Sequence, residues 1–405
     1  MRYSNILKKM SMSTSSTSSI LCNNINNVAI VVLNREKALN ALDMDMVSQM
    51  KSHLLNWRSS SSSSSSLTNN NNNNNNNTSA FILKGAGGKA FCAGGDVKSI
   101  YSHLQSNSQP SLIGTGKPGT IESDFFRHEY EMNYLIGTSP IPQVSIWDGI
   151  VMGGGVGISV LGEYRIATEK TLFAMPETAI GLFPDVGSSA WLPHLPDGQG
   201  LYIGLTGCRL GAADLISTGI ATHYIPSQKL EQVEKMIIDN CPEDPKKSKS
   251  IIGDILRGAA EGSRPDSSKA TIEVNKEAIE RCFSKPKSVE EILDLLKNET
   301  GNKKHEKWAN STIQTLLKMS PTSLKLTLAQ LQEGKELDLK GCLTMEYRLM
   351  MGCMRGQDFR EGIRSVLIDK DNSPKWAPAA ISHVSEKDVR KYFSLENYEL
   401  DLSRY

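Results

Sequence analysis

The chain is poor in the features that mark metal, redox and membrane proteins. Its seven cysteines (Cys22, Cys92, Cys208, Cys241, Cys282, Cys342 and Cys353) are scattered, odd in number and form no CxxC pair. That pattern indicates neither a disulfide framework nor a zinc site, and it fits a reducing compartment. The seven histidines form no HExxH cluster, so the expectation is metal-independent chemistry with no separate cofactor. A formal charge of +1 over 405 residues gives no electrostatic case for a nucleic-acid or membrane partner. The longest apolar run, Gly149 to Gly162, is too short and too rich in glycine to span a bilayer.

One lack is local. No acidic residue precedes Glu36, whereas Arg2, Lys8, Lys9 and Arg35 all do, among many Ser and Thr. A basic, hydroxylated, acid-free start is the composition of a mitochondrial presequence, expected here over residues 1–24 with a matrix location. The plainer reading is a tail that happens to lack acids. A secretory signal of the usual kind is excluded, because no continuous apolar segment follows the basic residues.

Homopolymer tracts at Ser59–Ser66 and Asn69–Asn77 bury no apolar surface and are expected to form a solvated insertion, 58–78. Before them, Ala38 to Trp57 reads as an amphipathic helix with Leu42, Met46, Met50 and Leu54 four residues apart. After them, Ala80–Lys84 reads as a buried strand, so the tract lengthens a helix-to-strand surface loop, where insertion costs little. Val28–Leu33, Gln143–Trp147, Tyr164–Thr168 and Ile220–Ile225 read as further strands. Their alternation with helices predicts an α/β core over 25–225, and charged helical periodicity predicts a helical region over 226–405.

Two glycine turns carry the chemistry. In the first, the strand Phe81–Lys84 leads through Phe91-Cys-Ala-Gly-Gly-Asp96 to a helix with Val97, Ile100 and Leu104 on one face. In the second, Gln143–Trp147 leads to Met152-Gly-Gly-Gly-Val-Gly157, and the residues after it look helical. Glycine lets backbone approach a ligand closely, and amides at a helix start favour negative charge. Neither turn reads GxGxxG with an acid about twenty residues on, and no Walker lysine follows. Glu177 and Asp185 come next, in Met175-Pro-Glu-Thr-Ala-Ile-Gly-Leu-Phe-Pro-Asp-Val-Gly187. Gly181 and Pro184 lie between them, which predicts a looped segment able to turn both carboxylates into one cavity. The bland alternative is a helix-capping Glu177 and a turn-forming Asp185. Two amide donors beside a carboxylate are what acyl-thioester chemistry requires, since a developing oxyanion or enolate needs fixed N–H groups and an adjacent acid or base.

Ala90–Asp96, Met152–Gly157 and Phe173–Glu177 together resemble the crotonase (enoyl-CoA hydratase/isomerase) superfamily. Within it, Pro176–Gly187 and the segment Met354–Trp376 are similar to the 3-hydroxyisobutyryl-CoA hydrolase branch. The resemblance spans about Asn26 to Phe393. It implies a crotonase-like spiral of ββα units, an acyl-CoA substrate, and hydrolysis of the 3-hydroxyisobutyryl-CoA thioester as in valine catabolism. It also implies an oxyanion hole from the N–H groups of Gly95 and Gly154, catalytic roles for Glu177 and Asp185, and substrate contact by Glu129. Hydratases carry a first catalytic glutamate near the end of the triple-glycine turn. Here that place is Gly157, which argues against hydration. Two departures from the hydrolase pattern, at Asp148 and over Ser188–His194, flank the expected site. Another hydrolase, a hydratase or isomerase, and a non-catalytic structural paralogue are the rival readings. Homo-oligomerisation stays open, as does the choice among Arg35, Lys37, Lys84, Lys89 and Lys98 for the CoA phosphates. His128 and His223 have no legible partner.

Overall fold

The computed structural model describes residues 18–62, 78–106, 120–394 and 400–405. Its frame is two sheets fed by the same stretches of chain. Strands β1 (Ile20–Ile25), β2 (Val28–Leu33), β3 (Ala80–Gly85), β5 (Gln143–Trp147), β7 (Tyr164–Ala167) and β9 (His223–Tyr224) form a six-stranded sheet in that order. β1 pairs antiparallel with β2, and every other pairing in this sheet is parallel. Three short strands, β4 (Ala90–Cys92), β6 (Ile150–Met152) and β8 (Leu172–Ala174), form a second, parallel sheet. Each repeat of the chain gives one strand to each sheet before a helical turn, which is the repeated ββα unit of the crotonase-like spiral.

Burial on both faces explains the uninterrupted apolar reading of β2. Ala29, Val31 and Leu33 join the main core, while Val28, Ile30 and Val32 join a second cluster on the opposite face, as is usual for strands within parallel sheets. Leu230, Val233, Ile237, Ile252 and Leu256 complete that second cluster. They come from the helices Leu230–Asn240 and Pro245–Ala260. The boundary expected at 225/226 therefore does not separate two bodies, because the first helices beyond it cover the sheet.

Other boundaries move. Residues 1–17 of the expected presequence lie outside the described residues, but residues 20–24 form part of β1 and pair with β2 along its length, so the sheet begins before residue 25. The amphipathic helix is α1, Met44–Ser62. Its start shifts because Leu42 bridges to Gly95 instead, although Met46, Met50 and Leu54 are buried as their spacing predicts. α1 also takes in the first serines of the low-complexity segment, while residues 63–77 lie outside the described residues. The expected strand Ile220–Ile225 shrinks to His223–Tyr224.

Among the remaining helices, α2 (Val97–Ser106) and α3 (Ile121–Gly137) precede β5, and the four-residue α4 (Gly154–Gly157) follows β6. In the C-terminal region, α5 (Pro321–Gly334) and α6 (Leu339–Arg355) return to the core, and α6 packs on α3.

Candidate active site

The three strands of the small sheet lie side by side and deliver the site from their C-terminal ends. β4 leads to Gly94 and Gly95, β6 to Gly153 and Gly154, and β8 to Glu177. A parallel register places these ends together, so residues far apart in sequence meet without any long side chain reaching across. A Cβ built on Gly154 would lie 3.1 Å from the Gly95 nitrogen and 2.7 Å from Glu129 Oε1. The two glycine turns thus touch, with the Glu129 carboxyl against them. Leu42 donates its N–H to the Gly94 carbonyl and accepts from Asp96 N–H, fixing the first turn from both sides. Among the described residues neither Gly95 N–H nor Gly154 N–H meets a protein acceptor.

Gly153 shows why glycine is required here. Its φ is +46°, and a Cβ would stand 2.7 Å from Glu177 Oε1. The Glu177 carboxyl occupies the space that a side chain at 153 would need. Glu177 opens a 3-10 turn, Glu177–Ile180, which Gly181 ends at φ +74°. The chain then loops to Asp185, as the intervening Gly181 and Pro184 predict.

Glu129, Glu177 and Asp185 are 2 %, 5 % and 5 % exposed, which is rare for carboxyl groups without a cation. Glu129 Oε1 and Glu177 Oε2 are buried without a hydrogen-bond partner. Burial pushes the Glu177 carboxyl well above the ordinary carboxylate range, and the charges of Asp185 and Glu129 add to the shift. Glu129 is raised by the same two effects, burial and Asp185. Asp185 is raised by burial only to about 6, because the Tyr130 hydroxyl donates to its Oδ2 at 2.7 Å. Of the three, Asp185 is the group whose charged form the site favours most, because the Tyr130 hydroxyl opposes the effect of burial there.

The structure brings together Gly95, Gly154, Glu129, Glu177 and Asp185. It places the other sequence candidates elsewhere. His128 meets Lys51 and the buried Glu131, a structural cluster between α1 and α3. His223 contacts the Thr222 hydroxyl at the end of the large sheet. Asp148 does not flank the site: it accepts from Thr168, Lys170 and Ser227 and ties two strand ends together. Lys84 pairs with Glu234, and Arg35 with Asp43 and Asp96. Lys37, Lys89 and Lys98 are exposed.

Two neighbours of Asp185 escaped the sequence reading. Tyr130 stands next to Glu129 on α3, and its neighbour was the available clue. Glu346 on α6 had none beyond being a lone acid among apolar residues of a buried helix face. Among the described residues no group of three or more His, Cys, Asp or Glu side chains is arranged to hold a metal ion. No described helix is long and apolar enough to cross a membrane.

Residues 28–393 match the family model described as enoyl-CoA hydratase/isomerase. Mitochondrial 3-hydroxyisobutyryl-CoA hydrolase of Danio rerio is 44% identical over 396 residues, covering 96% of this chain and 94% of that protein. The Homo sapiens protein of the same name is 42% identical over 386 residues, covering 95% and 91%. A carnitinyl-CoA dehydratase from Mycobacterium thermoresistibile superimposes with a TM-score of 0.79 at 31% identity, over 96% of this chain and all (100%) of that one. An enoyl-CoA hydratase from Rhodobacter sphaeroides does so with a TM-score of 0.76 at 29% identity, over 95% and 99%.

Proposed function

Since this chain belongs to the enoyl-CoA hydratase/isomerase, or crotonase, superfamily, we propose that it hydrolyses the thioester of 3-hydroxyisobutyryl-CoA, releasing 3-hydroxyisobutyrate and CoA in the mitochondrial matrix. The observation that carries this reading is the pair of buried, unpartnered carboxyl oxygens, Glu129 Oε1 and Glu177 Oε2, beside the triple-glycine turn: Glu129 Oε1 lies against Gly154, whose N–H meets no acceptor among the described residues, and the Glu177 carboxyl lies against Gly153. Buried polar atoms without partners are rare in folded proteins and mark places where a ligand completes the hydrogen bonding. The named hydrolase relatives supply the acyl group and the compartment.

In this reading the thioester oxygen accepts from Gly95 and Gly154 N–H, which stabilise the negative charge that develops on it. Glu129 accepts from the substrate hydroxyl. Glu177 carries its proton in the resting site. Moving that proton to Asp185 makes the working pair, a carboxylate at 177 and an acid at 185. Glu177 then either attacks the thioester carbon, forming an anhydride as the C–S bond breaks, or takes a proton from an attacking water. Asp185 returns its proton to the departing thiolate. A thiol of ordinary pKa, about 8.5, leaves with little assistance. In the anhydride route, water then opens the acyl-enzyme and frees Glu177.

Hydration of an enoyl-CoA is disfavoured by one contact. A Cβ at Gly157, where hydratases carry a catalytic glutamate, would lie 2.4 Å from Val186 Cβ. The test is incubation of purified protein with 3-hydroxyisobutyryl-CoA and, separately, crotonyl-CoA, following thiol release and loss of enoyl absorbance. Thiol release from the hydroxyacyl thioester alone is expected. The Glu177→Gln variant should lower turnover by about 10²–10⁴-fold. Loss of enoyl absorbance without thiol, or near-normal turnover in Glu177→Gln, would sink the assignment.

A further inference from the structure

We propose that Glu346, on the C-terminal helix α6, is a positioning residue for Asp185, holding the turn that follows Asp185 and so aiming its carboxyl at Tyr130 and the reacting groups. The proposal rests on Asp185 being a working group of the hydrolase reading. It adds a residue from outside the repeated ββα units to the machinery.

The turn needs a holder. Val186 and Gly187 both lie in the left-handed region, at φ +54° and +87°. Glycine adopts that conformation freely, but a β-branched valine does so only when its surroundings impose it. Glu346 supplies the constraint through acceptors. Gly187 N–H donates to its Oε2 at 2.7 Å and Ser189 N–H to its Oε1 at 2.9 Å. The Ser189 hydroxyl donates to the same Oε1. On the other side of Asp185, Gln330 Nε2 on α5 donates to the Pro184 carbonyl at 2.6 Å. Asp185 is thus bracketed by two buried side chains of the C-terminal helices, while Tyr130 takes its carboxyl. The neighbouring residue on α6, Tyr347, sets its ring edge against Tyr130.

A packing role would not select a carboxyl group. Glu346 is fully buried, with Met345 and Tyr347 beside it in the chain and Met350 one turn on, all three also buried. No ion pair reaches it among the described residues. The ionisable groups around it are Asp185, Tyr130 and, on its own helix, Cys342. Burial pushes its own carboxyl up to about 8, against the donors from Ser189 and Gly187. Such a site is costly unless the acceptors are needed. Only an ionised carboxylate offers two acceptor oxygens to two N–H groups, a form that burial opposes and the donors of Ser189 and Gly187 favour. Glutamine would set an amide N–H against one of them.

The experiment is a double-mutant cycle in the full chain: Glu346→Gln, Asp185→Asn and the pair, each assayed for thiol release from 3-hydroxyisobutyryl-CoA. Glu346→Gln is expected to lower kcat by about 10²-fold through displacement of Asp185, with KM changed less than about threefold. The double variant should be no slower than Asp185→Asn alone, because a residue acting through Asp185 has nothing left to act on. Glu346→Asp, which keeps both acceptors, should recover part of the loss. Multiplicative losses, or an unchanged kcat in Glu346→Gln, would overturn the proposal. If Glu346→Gln does not fold, Ser189→Ala removes one donor alone and should show a smaller kcat loss with the same non-additivity. Wild-type protein in the same assay tests the hydrolase reading separately. A crystal structure of Glu346→Gln decides the proposal even without turnover: a turn that stays in place, with the Tyr130–Asp185 bond intact, refutes it.

Discussion

The Tyr130 hydroxyl donates to Asp185 Oδ2 at 2.7 Å, inside a site where both groups are buried. This bond separates the three carboxyl groups energetically. Burial raises all three, but of the three only Asp185 has a side-chain donor that favours its charged form, and it is held to about 6. In Tyr130→Phe that donor is lost and Asp185 should move further up. A charge-assisted hydrogen bond of about 1.5 kcal/mol corresponds to roughly one pH unit. The acidic limb of the pH–kcat profile is therefore expected to shift up by about that amount. An unmoved limb would show that Asp185 does not govern it.

The same burial has a consequence for stability. The Asp185 carboxyl lies above its ordinary value in the folded protein, so its contribution is fully present below the unfolded pKa of 3.8 and is lost as pH rises through about 6. Asp185→Asn removes the buried charge while leaving an acceptor for Tyr130. At about pH 7.5 the variant should melt roughly 3 °C or more above wild type. The gap should close towards about pH 4. A melting temperature equal to or below wild type at the higher pH would contradict the assignment of a strained, buried carboxylate.

Gly154→Ala tests the oxyanion hole directly. The new Cβ would stand 2.7 Å from Glu129 Oε1 and 3.1 Å from the Gly95 nitrogen, in the space a thioester oxygen must enter. Alanine keeps the N–H but its methyl group bars the oxygen from it, so turnover is expected to fall by about 10²–10³-fold, as when one donor of such a hole is lost. Gly211→Ala is the control, because a Cβ there meets nothing within 4 Å. Comparable losses in the two variants would remove the case for the hole.

Much of this site was legible because glycine and carboxylate patterns are local. The turns at Gly94–Gly95 and Gly153–Gly154 announce themselves where strands end, and Gly181 and Pro184 foretell the loop that separates Glu177 from Asp185. Residues that act through tertiary contact carried no such mark. Glu346 lies 161 positions beyond Asp185, and its role depends on how α6 returns to the core. Asp148 misled because proximity in sequence to a glycine turn is not proximity in space: the strand's direction carries it to Thr168 and Ser227. Leu42 fits a helical period, yet it leaves the helix to bridge Gly95, tertiary pairing overriding a local pattern.

The contact between Gly157 and Val186 yields a prediction about reaction type. A glutamate at 157 would supply the acid that hydratases carry at this place. A Cβ there, however, would meet Val186 Cβ at 2.4 Å and Asn133 Nδ2 at 3.0 Å. Val186 is held in a left-handed conformation between Asp185 and the Glu346-bound Gly187, so it cannot withdraw without dragging Asp185 with it. Gly157→Glu alone should therefore lose thiol release, gain no hydration of crotonyl-CoA, and be destabilised by about 1–3 kcal/mol or more, as overpacked cores are. Adding Val186→Gly removes the obstructing side chain and relieves the left-handed backbone at once. The double variant is expected to recover stability in thermal melts, without recovering the hydrolase rate. Full stability and normal thiol release in Gly157→Glu would show that the space between α4 and the Asp185 turn is not closed as the structure places it.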